Sequence, residues 1–401
     1  MKSKQFLILS VLFPFFTYVY ALRKKSMVLL KFTLPIFYGL IGYTFQLRGA
    51  SDAYRAVEQF EAILASQDFN FFEYFINKVI NFKNEGTEVY YDLLCYITSF
   101  FTDDWRFFFM LNGFISGTII FNIVKTINDK FPNVSSLVLV LISLILMPIT
   151  LLNGRFWLSS SFLVLMVLKY IETKKVKYIL LSFLCVFIHE GLSLACIIFV
   201  LFHFIKFSKY TIFGIYIVSL LYAGTGSNFV GNALNMFSGT VADKIEGYAR
   251  IDVDEATQQT LESRSQNFRI YSMRNTVLNI SVLTSMFFIF FYNKRSTNEI
   301  LFQVALIALL FISFSNFTSS IASLGGRYLR IGLMIGVIPL LLSIGEIKIR
   351  LVRNSLILAL TFTYIIDLRL DAEQLYGLIF FMGYPQSFFT VPELTILEII
   401  K

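Results

Sequence analysis

The sequence predicts an all-α polytopic membrane protein, and three observations carry that prediction. Of 401 residues, 56% are hydrophobic and 15% charged, with a mean hydropathy of +0.70, whereas soluble globular domains carry about a quarter charged residues. The apolar runs are long and do not alternate, which suits helices of ~20 residues crossing the hydrocarbon core and not the ~10-residue alternating strands of an outer-membrane barrel. A spanning helix also satisfies its own backbone polar groups, so the expected fold is helical throughout.

The first run, Phe6 to Leu22, is followed by no small-residue cleavage site, and another apolar run starts at Met27. It is therefore expected to be a retained helix and not a signal peptide. Counting it, about twelve spans are expected, near residues 5–22, 27–46, 105–124, 134–152, 156–171, 177–189, 191–206, 210–223, 276–293, 299–317, 328–346 and 354–368. Basic clusters at Arg23 to Lys25, Lys125 and Lys130, Lys174 to Lys177, Lys206 and Lys209, Lys294 and Arg295, and Lys348 to Arg353 fall in every second loop. The positive-inside rule places those loops in the cytoplasm and both termini outside, which Lys2 and Lys4 oppose. The net charge of +8 is thus topological, and no nucleic-acid partner is expected.

Two segments stand outside in this topology, 47–104 and 224–275. Within the first, "VYYDLLCYITSFF" (89–101) is apolar but short, and a crossing there would move Lys125 and Lys130 outside, so it is expected to be re-entrant or interfacial. Apolar residues at helical spacing upstream (Val57, Phe60, Leu64; Phe72, Phe75, Val79) suit helices lying in the interface, or packed amphipathic helices. The second segment is polar and suits a cap over a cavity. No repeat and no Pro- or Ser-rich linker divides the chain, so residues 1–401 are read as one domain.

Arg48, Arg55, Arg155, Arg250, Arg264, Arg269, Arg274, Arg327, Arg330 and Arg369 fall at or beyond the outer helix ends, with few lysines among them. A guanidinium is a planar fork that grips phosphate oxygens two at a time, whereas an ammonium is a mobile point charge. An arginine-rich outer face therefore points to a phosphate or diphosphate ligand. For any single arginine the alternatives are snorkelling to the interface or pairing with an acid such as Asp52, Asp103 or Asp254. The strongest candidates are Arg155 in "NGR", beside Asn153, and Arg327 with Arg330 in "GGRYLR", each next to a glycine that would let a ligand approach the backbone.

His189, at an expected outer helix end, can take a proton from a hydroxyl with Glu190 nearby; the alternative is a histidine merely bonded to a neighbouring helix. His203 lies at the opposite end of the next helix and is read as interfacial. Cys95, Cys185 and Cys196 have no paired spacing, so neither a disulfide framework nor a thiolate metal site is expected. The scattered acids give no metal-ligand spacing and no Gly-rich nucleotide loop is present, so neither a metal nor another cofactor is expected.

Read together, "RGASDAYRAVEQF" after the second helix, "NGRFWLSSSFLVL", a Lys-rich turn, "FLCVFIHEGLSL", the late "GGRYLR" and the closing "MGYPQSFF" resemble the EpsG-like group of polysaccharide polymerases, related in role to the Wzy O-antigen and capsule polymerases. The resemblance spans most of the chain through short motifs. Phe156 and a serine run stand where relatives often show Gln and Ala, and Glu190 follows the histidine where other residues are common.

The resemblance implies a GT-C-like membrane glycosyltransferase of the bacterial inner membrane. Such an enzyme joins oligosaccharide repeat units carried on undecaprenyl diphosphate at the outer face. Its partners would be that lipid-linked sugar, membrane lipid and a chain-length regulator protein. In an inverting transfer, Arg155, Arg327 and Arg330 would hold the donor diphosphate and His189, assisted by Glu190, would take the acceptor proton. Arg48, Asp52, Tyr54, Arg55, Asn153 and Tyr384 complete the expected substrate-binding set. An O-antigen ligase-like enzyme, or a transporter or flippase of lipid-linked sugars, are the alternatives; the concentration of polar groups on one face speaks against transport.

Overall fold

The computed structural model describes residues 3–44, 52–66, 70–80, 88–146, 154–205, 207–223, 265–292, 299–319 and 322–372. Among them every regular element is helical, and they fall into two compact units, one within Met1–Cys196 and Asp367–Lys401 and the other within Ile197–Ile366.

The first unit begins with α1 (Ser3–Leu12) and α2 (Pro14–Arg23). They are separate helices because Pro14 disfavours helical backbone at the preceding residue, and Phe13 sits at φ −134°, ψ 66°. Ser26 caps α3 (Met27–Tyr43), accepting from the Leu29 amide. α3 packs along α7 (Arg106–Lys130) through glycines on both helices. A Cβ on Gly42 would run into the Phe109 carbonyl, one on Gly113 into the Tyr38 carbonyl, and one on Gly117 would come within 2.7 Å of the Leu34 carbonyl. The small-xxx-small spacing of Gly113 and Gly117 is what lets two backbones touch without lipid between them.

Between α3 and α7 lie α4 (Asp52–Ala65), α5 (Phe71–Phe75) with a π turn at Ile76–Ile80, and α6 (Tyr90–Ser99). α4 buries Ala53, Ala56, Val57 and Phe60 in a cluster with Tyr91, Leu94 and Phe108, so its apolar stripe serves protein packing. Leu64, expected on that stripe, is exposed, because α4 ends at the next residue. On α5 the ring packed against protein is Phe71, which stacks on Tyr96 of α6, while Phe72 is exposed, as on a helix face turned to the interface. The unit continues with α8 (Ser136–Leu146), α9 (Arg155–Thr173), α10 (Lys177–Ser182), α11 (Leu184–Ile188), a 3-10 turn at Glu190–Leu192 and the start of α12 (Ser193–Phe204).

The second unit holds α13 (Lys209–Leu221), α14 (Ser265–Phe287) extended by a π turn at Phe288–Tyr292, α15 (Glu299–Phe317), α16 (Ala322–Ser343) and most of α17 (Arg350–Ala372). α15 and α16 form a tight antiparallel hairpin in which Gly332 approaches Ile312, and Gly336 fits among Val282, Met286 and Ala308.

Among the described residues the expected spans fall on helical segments, although 5–22 is broken into α1 and α2 and 177–189 into α10 and α11. Five helices among the described residues are long and apolar enough to cross a membrane: Arg106–Lys130, Arg155–Thr173, Ser272–Tyr292, Glu299–Phe317 and Leu324–Glu346. Met27–Tyr43, Lys177–Ile188, Glu190–Phe204 and Lys209–Leu221 are shorter apolar segments.

Candidate functional site

Arg155 is the first residue of α9, after Gly154 in extended conformation. A cation there meets the positive end of the helix dipole, so local electrostatics oppose it and an anion must compensate. That anion is Glu88, 67 residues earlier, whose Oε2 accepts from Arg155 Nη1. The guanidinium also lies over the Tyr91 ring, 5.4 Å from its centroid.

His189 ends α11. Its backbone is extended (φ −153°, ψ 108°), its amide donates to the Cys185 carbonyl at 2.8 Å, and its carbonyl accepts from Leu192 at 3.1 Å. This break turns the ring toward α9, edge-on to Phe156 at 5.9 Å. Nδ1 lies 2.6 Å from Glu88 Oε1, which also accepts from the Glu190 amide at 3.0 Å. One carboxylate therefore joins an arginine from the start of α9 to an imidazole and a backbone N–H from the break after α11.

The first turn of α6 places Glu88. The Val89 amide donates to the Phe187 carbonyl at 3.0 Å, tying the entry to α6 directly to α11. Tyr90 Oη donates to Asn112 Oδ1 at 2.9 Å, and Tyr91 packs edge-on to Phe108. Asp92, 2% exposed, pairs with Lys78 Nζ at 2.8 Å and accepts from Tyr74 Oη at 3.0 Å. Ser159 Oγ, donating to the Cys185 carbonyl at 2.8 Å, fixes α9 against α11.

Burial pushes the Glu88 carboxyl up, but its bond to His189 and the charge of Arg155 outweigh that and hold it below its ordinary value. An ionised carboxylate can only accept, so the proton on Nδ1 faces Glu88 and Nε2 of the neutral ring presents its lone pair. His189 Nε2 and Arg155 Nε are both buried and bond to no described protein group. An imidazole and a guanidinium are thus held on the two oxygens of one carboxylate, a proton acceptor and a cationic N–H donor of the kinds that a hydroxyl nucleophile and an anionic leaving group require.

The remaining expected residues divide. Glu190 meets the cluster through its backbone amide, and the carboxylate bound to His189 is that of Glu88. Tyr54 and Arg55 stand on the exposed face of α4, opposite its packed stripe. Asp52 opens α4, with its side chain outside the description, and Arg48, Asn153 and Tyr384 lie outside the described residues. Arg327 and Arg330 belong to the second unit and lie inside α16, not at its start, flanking Tyr328, which is fully buried. Of the two glycines before them, Gly325 serves packing, since a Cβ would come within 2.8 Å of the Thr318 carbonyl, while Gly326 faces open space.

Sequence reasoning missed Glu88. The available signal was an acid directly ahead of the short apolar run 89–101, with nothing to separate it from Glu85. The three cysteines are buried and free, and among the described residues no group of three His, Cys, Asp or Glu is placed to hold a metal ion.

No curated protein and no solved structure matches the chain. The model of the EpsG family matches residues 31–380.

Proposed function

The chain belongs to the EpsG family, and from that premise together with the Glu88 cluster we propose that it is a polysaccharide polymerase. It joins oligosaccharide repeat units carried on undecaprenyl diphosphate at the outer face of the bacterial cytoplasmic membrane, crossing that membrane about twelve times in a GT-C-like arrangement. The observation that supports the reading is the carboxylate shared by Arg155 and His189, with His189 Nε2 and Arg155 Nε buried and bonded to no described protein group.

In the proposed reaction the acceptor hydroxyl oxygen attacks the anomeric carbon of the donor sugar from the face opposite the diphosphate. Its proton passes to His189 Nε2, the C–O bond to the diphosphate breaks, and the electron pair leaves on the diphosphate oxygen with inversion at carbon. Glu88 holds the imidazole with Nδ1–H toward itself and stabilises the imidazolium that forms. Arg155 stabilises charge on the leaving diphosphate, a role whose loss typically costs on the order of a hundredfold or more. For Arg327 and Arg330 we propose diphosphate binding as well, on the chemistry of the guanidinium fork. Positive charge from arginine does here what a divalent cation does in many nucleotide-sugar transferases, so the reaction as written needs no metal.

The test is to incubate the purified protein with a diphosphate-linked repeat unit and resolve the lipid-linked products by size. A ladder of lengthening products, lost in Arg155→Ala and His189→Ala, supports polymerisation. A single addition to a foreign lipid acceptor would make the protein a ligase, and movement of labelled lipid between leaflets without any new glycosidic bond would make it a transporter.

A further inference from the structure

A cleft of about 310 Å3 lies in the second unit between α13 and α14, lined by Phe213, Tyr216, Thr284, Met286, Phe287 and Phe290, with Leu309 of α15 also in its wall. Two of the three helices, α14 and α15, are long and apolar enough to span a membrane, and α13 is a shorter apolar helix. Only 39% of the α14 span is buried, against 61–72% in the other four, so this helix gives the most surface to its surroundings. Phe287 on the cleft rim is 49% exposed, as is much of the neighbouring face of α13 through Ile217 and Leu220.

One end of the cleft is charged. Lys209 opens α13 one turn before Phe213, and its Nζ donates to the Phe290 carbonyl at 2.8 Å. That carbonyl lies in the last turn ending α14, where carbonyls lack partners within the helix and a lysine can supply one. The ammonium also lies 5.1 and 5.4 Å from the Tyr210 and Phe291 ring centroids, and Phe291 packs edge-on to Phe213. An ammonium has three N–H donors, and the carbonyl takes one.

We propose that this cleft binds an acyl chain of an anionic phospholipid, with Lys209 against its phosphate. The volume stands at the lower end of ligand pockets, which suits part of one chain and not a folded headgroup. The lining is apolar apart from the hydroxyls of Tyr216 and Thr284, the second already donating to the Ile280 carbonyl, which is too little to hold a sugar, and a cation at the mouth of an apolar groove matches a molecule with an anionic head and an apolar tail. A zwitterionic lipid would gain nothing net from that charge. The proposal stands apart from the glycosyl-transfer reading, since it uses neither its residues nor its unit of the Glu88 cluster.

The test places a reporter in the cleft. Full-length Tyr216→Trp protein is titrated with phospholipids brominated on the acyl chain, with phosphatidylglycerol or phosphatidylcholine heads, and the quenching of Trp105 and Trp157 in the wild type is subtracted. The anionic lipid should quench at about fivefold lower mole fraction, the selectivity of one basic side chain near a membrane surface. Lys209→Gln on this background should abolish the preference, Lys209→Arg should keep it, and Thr284→Phe, which fills the cleft, should weaken quenching by both lipids. Equal quenching by the two heads, or a preference that survives Lys209→Gln, would overturn the proposal by making Lys209 a helix cap alone. Quenching by neither lipid would also overturn it, because protein and not lipid would then occupy the cleft.

Discussion

Replacing Glu88 by glutamine tests the centre of the functional reading with almost no change of shape. In the native cluster Oε1 serves His189 Nδ1 at 2.6 Å and the Glu190 amide at 3.0 Å, while Oε2 serves Arg155. A glutamine has one acceptor oxygen. If that oxygen stays on His189 and Glu190, the amide N–H2 faces Arg155 Nη1, donor against donor, and a charge-assisted bond worth about 1.5–3 kcal/mol is lost. If the amide is flipped, its N–H2 confronts Nδ1–H and favours the wrong tautomer, placing the proton on Nε2. The first arrangement alone costs on the order of 10- to 150-fold if the bond acts fully in the transition state. Loss of a properly set general base brings the expected fall in kcat to roughly 10²–10⁴-fold. Glu88→Asp keeps the charge but draws the carboxylate back by about 1.5 Å, so it should retain more activity than Glu88→Gln. The assay is the rate of product lengthening from a lipid-linked repeat unit, with monodispersity in detergent as the folding control. A Glu88→Gln protein that elongates within threefold of the wild type would refute the assignment.

Four further outcomes follow from the geometry. Arg155→Lys should lose on the order of a hundredfold in rate despite its charge, because an ammonium cannot present a planar fork to Glu88 and a diphosphate together; near-native turnover would argue against leaving-group contact. Glu88 is held below its ordinary 4.5, so its contribution to stability is fully present above that pH and is lost as pH falls through the lowered value. Thermal unfolding of the wild type should therefore weaken more steeply below about pH 4.5 than that of Glu88→Gln, and parallel curves would count against the cluster. Asp92→Leu should destabilise by about 3–5 kcal/mol, because it strands the Lys78 ammonium, 12% exposed, and Lys78→Met on that background should restore much of the loss in denaturant titrations. Gly113→Ala should cost at least about 1–3 kcal/mol, measured the same way, because its Cβ meets the Tyr38 backbone and not a side chain that can move aside.

Much of this molecule is legible in the sequence because the signals are local. Arginine directly after Asn-Gly marks the start of α9, and the change from an apolar run to His-Glu-Gly marks the end of α11. The stripe of Val57 and Phe60 predicts the packed face of α4. Residues that depend on distant partners are not legible in the same way. Glu88 gains its meaning from groups 67 and 101 positions later, and no periodicity distinguishes it from Glu85. Phe71 is buried because Tyr96 offers a ring to stack on, which spacing within α5 cannot reveal. The start of α16 at Ala322, ahead of the glycines, reflects the close hairpin with α15, where Gly325 removes a clash that any other residue would create. Sequence reasoning read those glycines as room for a ligand, and one of them is room for the turn that follows α15.

The meeting of α3 and α7 sets a rule for how this chain can change length. Gly113 and Gly117 lie on one side of α7 because four residues make little more than one turn, and both must look at α3 for the peptide planes to touch. A single residue inserted between them would rotate the second by about 100° and swing a bulky neighbour against Pro35. Insertions and deletions in this part of the protein are therefore tolerated outside the seam, in the connecting segments, while the interval between the two glycines is fixed to the residue.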